Sequence, residues 1–132
     1  MKTSSIIEET RPDMEAYAMY LGNTRDSELV DKIVEICEPI LFDILSNHRE
    51  KLGKFIPGFS FEAYLRTNAL KLADEIIDKN TEKYEEIWRV NKVFFENKGY
   101  TEPNYWNCLQ WVPAQAMTQF FLSHRSAISR PY

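Results

Sequence analysis

Apolar residues recur along this chain at intervals of three and four, the spacing that gathers side chains on one face of an α-helix. The longest such stripe is Leu29, Ile33, Ile36, Cys37, Ile40, Ile44 and Leu45, with Asp26 or Ser27 to cap its start and Gly53 to stop it. Pro39 falls inside the stripe. It lacks the N–H that would bond the carbonyl of Glu35 and crowds that turn, which predicts a kink or a break near residues 37–39. Upstream, Pro12 suits a first helical turn, and Met14, Tyr17, Ala18 and Leu21 continue from it until Gly22 offers a stop. This pattern predicts a short first helix and leaves residues 1–10 as a flexible end.

Downstream, the Pro57-Gly58 pair marks a turn over residues 54–59, and Ser60 can cap a third helix. Phe61, Tyr64, Leu65, Ala69, Leu72, Ala73, Ile76 and Ile77 give that helix a broad buried face, running to about Asp78. Asn80 or Thr81 caps a fourth, with Tyr84, Ile87, Trp88, Val90, Phe94 and Phe95 facing inward and Gly99 ending it. The short link between the two predicts antiparallel neighbours. Residues 100–107 are the least regular stretch. A short helix from about Asn104 and a longer one starting near Pro113, carrying Gln115, Met117, Phe120, Phe121 and His124, complete the pattern, and residues 126–132 read as a tail.

Strict apolar/polar alternation bounded by turn residues is absent, so the expected fold class is all-α, a single compact bundle of five to seven helices. A chain of 132 residues with 44 % apolar content has enough material for one core without disulfides or a structural metal. Cys37 and Cys108 each sit in an apolar helical pattern and read as two buried free thiols. Residues 1–10 show no basic start followed by an apolar run, and no stretch is long enough to cross a bilayer, which points to the cytoplasm and away from membranes.

Charge narrows the function classes. A net charge of −4 disfavours direct nucleic-acid binding, which draws its affinity from clustered Lys and Arg. Metal binding is disfavoured too. The two histidines, His48 and His124, are far apart, and Leu45 and Phe121 stand where the Glu of a Glu-x-x-His motif would be. The glycines are too scattered to cradle a phosphate, so no cofactor is expected. Exposed carboxylates such as Asp31, Glu35 and Glu38 lack the burial that tunes a general acid, and no Gly-x-Ser-x-Gly turn exposes a nucleophile. No catalytic residues are assigned, and the balance leans away from an enzyme.

Two features remain. Residues 74–86 hold six acids, Asp74, Glu75, Asp78, Glu82, Glu85 and Glu86, against Lys79 and Lys83, which predicts an acidic corner where two helices meet. Tyr100, Tyr105, Trp106 and Trp111 crowd the irregular stretch, and aromatics of this kind concentrate at binding hot spots. Arg125 and Arg130 add a basic tail. Together these features predict a protein-binding module that inhibits or neutralises a partner with a basic surface, in the manner of immunity proteins, antitoxins and phage-encoded inhibitors. The acids with Tyr100, Tyr105 and Trp106 would be its contact residues. The alternative is a small-molecule binder or small enzyme with an enclosed pocket between the last helices, lined by Trp88, Trp106, Trp111, Phe120 and His124.

Overall fold

The computed structural model describes residues 3–55, 61–78 and 81–128, and within them the chain forms five α-helices and no strand. These are α1 (Thr3–Leu21), α2 (Ser27–Phe55), α3 (Phe61–Asp78), α4 (Thr81–Asn97) and α5 (Glu102–Ile128). The all-α bundle inferred from the apolar spacing is the observed architecture. The Pro57-Gly58 turn and the Ser60 cap lie outside the described residues, as do Asn80 and residues 129–132.

Helix α1 begins at Thr3, where the pattern predicts a free end, and Pro12 lies in its middle rather than at its start. Ile6, Ile7, Thr10, Met14 and Ala18 form one buried stripe that runs through the proline. Burying two isoleucines is worth about 1.5–3 kcal/mol each, against roughly 3 kcal/mol for an interior proline, so packing prevails over the local rule. Pro12 is exposed, which keeps its ring out of the interface. Thr10, buried within the stripe, donates its hydroxyl to the carbonyl of Ile7 at 2.8 Å.

Helix α2 likewise runs unbroken through Pro39 and past Gly53 to Phe55. Cys37, Ile40 and Leu41 are buried on both sides of the proline, so the same stripe holds both halves, while Pro39 itself is exposed. The N-cap is Asp26, whose Oδ1 accepts the backbone N–H groups of Glu28 (3.0 Å) and Leu29 (3.3 Å). Its other oxygen accepts from Lys98 Nζ at 3.0 Å, and the same ammonium reaches Glu28 Oε2 at 2.8 Å. Lys98 first, then the backbone N–H groups, hold the Asp26 carboxyl below its ordinary range.

Helix α5 is the centre of the bundle and touches all four others, most extensively α1 and α3. It runs through Pro113 instead of starting there, because Val112, Pro113, Ala114, Ala116 and Met117 are all buried. Residues 126–128, expected in a tail, belong to this helix. The two-residue link does not make α3 and α4 side-by-side neighbours. Among the described residues they touch near their junction, where the Tyr84 hydroxyl donates to the Ile76 carbonyl at 2.8 Å, and α4 packs chiefly on α5.

Two helix ends close with the same device. At the end of α4, Gly99 adopts φ +75°, its N–H bonds the Glu96 carbonyl, and the Tyr100 N–H reaches back to the Phe95 carbonyl at 2.8 Å. At the end of α1 the left-handed residue is Asn23 (φ 48°), not Gly22, with Asn23 N–H bonded to the Tyr20 carbonyl and Thr24 N–H to that of Met19. Gly22 is glycine for another reason, since a Cβ there would collide with the Tyr100 hydroxyl and stand 2.7 Å from the Ala18 carbonyl. Gly22→Ala is expected to cost about 1–3 kcal/mol by overpacking. Gly99→Ala meets open space and is expected to cost about 1–2 kcal/mol through its backbone conformation alone. Urea unfolding measures both. In a Tyr100→Phe background the Gly22→Ala penalty should shrink while the Gly99→Ala penalty stays.

Candidate functional site

The six acids of residues 74–86 divide between two tasks. Asp74 and Asp78 on α3 and Glu82, Glu85 and Glu86 on α4 are exposed. Glu75 turns inward, its Oε2 2.6 Å from His48 Nε2 on α2, and so leaves the acidic corner. Lys83 does not neutralise its neighbours, because its ammonium crosses to Asp43 on α2 at 3.0 Å. Glu86 meets Arg89 at 3.5 Å in an exposed pair worth little. Asp74, Asp78, Glu82 and Glu85 enter no ion pair among the described residues, and Lys79 lies outside them.

On α4 the acids continue into an apolar line. Val90, expected to face inward, is 74 % exposed, and Val93 is 72 % exposed. The buried or half-buried line of this helix is Tyr84, Trp88, Asn91 and Phe95, and position 90 falls between its turns. The opposite line is Glu82, Glu86, Val90 and Val93, all exposed and spaced by three or four residues. That line is anionic over its first half and apolar over its second, with Arg89, Lys92 and Glu96 exposed beside it. Exposed β-branched residues in a helix contribute neither burial nor helix propensity to the bundle.

The aromatic stretch belongs mostly to the core, which corrects its reading as a contact surface. Tyr105 is 1 % exposed and donates its hydroxyl to the Tyr84 carbonyl at 2.8 Å. Tyr100 is also buried, stacks on Phe95 with centroids 5.8 Å apart, and places its hydroxyl 2.8 Å from Cys108 Sγ. Trp106 is half-buried against Tyr84 and Tyr105, and Trp111 is 40 % exposed. Trp88 packs on Tyr105 and Phe95 at 4.9 and 6.0 Å. An open depression of about 420 Å³ beside it is lined by Trp88, Lys92, Glu96, Gly99, Tyr100, Thr101 and Glu102. The side chains of Phe121, His124 and Arg125 lie outside the described residues, as does Arg130.

Both thiols are buried and free, and burial pushes Cys37 and Cys108 above the ordinary thiol range, which favours the protonated form. Among the described residues no three His, Cys, Asp or Glu side chains gather to hold a metal ion, and no helix is long and apolar enough to cross a membrane.

One constellation escapes the sequence patterns altogether. His48 stands between Tyr64 and Glu75 of α3, with Nδ1 2.7 Å from the Tyr64 hydroxyl and Nε2 2.6 Å from Glu75. The histidine and glutamate side chains are 14 % and 22 % exposed, so the group sits at the edge of the core within reach of solvent. Burial, and then the Glu75 charge, raise the Tyr64 hydroxyl above its ordinary range. Tyr64 and Glu75 are eleven positions, three helical turns, apart on one face of α3, a spacing visible in sequence. Their meeting at a histidine of another helix is not.

Burial raises the Tyr100 and Tyr105 hydroxyls further, with the Cys108 contact adding to Tyr100. The unfolded chain gives up these protons above about pH 10 while the folded chain keeps them, so folding stability falls as pH rises through that point. Each tyrosine contributes up to about 1.4 kcal/mol per pH unit to the decline. A Tyr100→Phe/Tyr105→Phe double variant, followed by urea unfolding across alkaline pH, is expected to lose stability less steeply than the parent.

No family model, curated protein or solved structure matches this chain, so its own side chains carry the functional reading.

Proposed function

We propose that this chain is a protein-binding module that neutralises a partner with a basic surface by covering it, using the outer face of α4 and the adjoining acids of α3. What supports this reading above all is the line Glu82, Glu86, Val90 and Val93, which joins charge to exposed apolar area on a helix held mainly by its other face. Charge complementarity speeds encounter and rejects wrong partners, while the two valines supply apolar area for the bound state to bury. Asp74, Asp78 and Glu85 extend the field. Glu75, Tyr100 and Tyr105 are not part of the face, and Trp106 offers only its exposed edge.

The test uses the intact chain as bait in its native host, with covalent crosslinking, against a Glu82→Lys/Glu86→Lys/Val90→Asp variant whose helical circular dichroism matches the parent. The parent is expected to retain a basic protein that elutes as salt is raised, and the variant to lose it. Equal retention by both would remove the face from the reading.

A further inference from the structure

Between α2 and α3 the structure assembles a hydroxyl, an imidazole and a carboxylate in line. An ionised Glu75 only accepts hydrogen bonds, so in the neutral form of His48 the Nε2 atom 2.6 Å from it carries the proton. Nδ1 is then a lone pair, and the Tyr64 hydroxyl 2.7 Å away donates to it. The order is nucleophile, base, orienting carboxylate, the logic by which an otherwise weak hydroxyl is activated at neutral pH. Burial and the neighbouring carboxylate keep Tyr64 protonated, so it reacts by losing its proton as the new bond forms and not as a standing phenolate.

We propose that Tyr64 is a nucleophile that accepts an acyl group from an activated carboxylic ester, with His48 as general base and Glu75 as the residue that positions His48. Tyr64 Oη attacks the ester carbonyl and its proton passes to Nδ1. The resulting imidazolium is held by Glu75. Collapse of the tetrahedral adduct breaks the bond to the alkoxide or phenolate leaving group, which takes the proton back from His48. The product is an ester of Tyr64 and a free alcohol or phenol, so no oxidant or reductant is needed. A neutral donor fits better than a phosphoryl donor, because Glu75 at the site and the exposed Asp74 and Asp78 on the same helix repel an anionic one. This assignment is independent of the α4 face.

The experiment treats the full chain with p-nitrophenyl acetate and follows acetylation of each tyrosine by peptide mass spectrometry. Tyr64 is expected to be acetylated at least about tenfold faster than Tyr20, which is 80 % exposed, the lower end of what a positioned base supplies being near a hundredfold. His48→Gln should slow Tyr64 by about 10²–10⁴-fold and leave Tyr20 unchanged. Glu75→Gln should slow Tyr64 by a smaller factor, with circular dichroism unaltered. In the unmodified protein the Tyr64 reaction should show a normal solvent deuterium isotope effect, a readout that a merely structural hydrogen bond would not give and that requires no variant to fold. Acetylation that simply follows exposure, with Tyr20 ahead, or a Tyr64 rate without an isotope effect, would overturn the assignment.

Discussion

This bundle is arranged around α5 and the partners it must find for its inward-facing side. This helix touches all four others, keeps a line of Asn104, Asn107, Trp111 and Gln119 exposed, and must bring partners for the polar atoms it carries inward, because an unpaired buried hydroxyl costs about 1–3 kcal/mol. Tyr105 meets this condition on the Tyr84 carbonyl, and Thr118 on the carbonyl of Ala114 one turn back. Ala114 and Ala116, both buried, keep the helix narrow enough for its neighbours to approach. Just ahead of α5, Tyr100 wedges between Phe95 and Cys108, and its hydroxyl takes the volume that a side chain at position 22 would need. The glycine at the end of α1 is thus set by a residue 78 positions later.

The helices themselves were legible where local signals and packing agree. The stripe of α2, the face of α3 ending at Asp78 and the Gly99 stop all stand in the structure as the spacing implies. Pro12 and Pro113 do not start helices and Pro39 does not break one for the same reason: proline rules are local, whereas in each case buried residues on both sides fasten a single helix to its neighbours. Ile7 and Met14, two turns apart, already carried the sign that α1 starts early. Val90 was a matter of phase, since apolar character alone does not place a residue on the inner line. The site was less legible than the fold. A tyrosine in a core and one at a binding surface look alike in sequence, and Glu75 differs from Asp74 and Asp78 only through the histidine that α2 presents to it.

Acidity in this chain is therefore not one property. Asp26, Glu38, Asp43 and Glu75 each fasten one helix to another, through Lys98, Arg11, Lys83 and His48 respectively. Asp74, Asp78, Glu82 and Glu85 form no ion pair among the described residues and remain directed at solvent. Net charge counts acids of both kinds alike, whereas the exposed ones alone face solvent.

Lys98 shows what the first group does to motion. Its ammonium ties the last turn region of α4 to the start of α2 across 72 residues of chain, on a helix whose packing is chiefly with α5. The tie is partly exposed and so weakens as ions screen it, whereas the ring contacts beneath it do not. Ionic strength therefore modulates one of the ties that moor the far end of α4. Low salt strengthens this tie, and under the proposed function it would also strengthen a basic partner's hold on the same helix, so the two responses would run together.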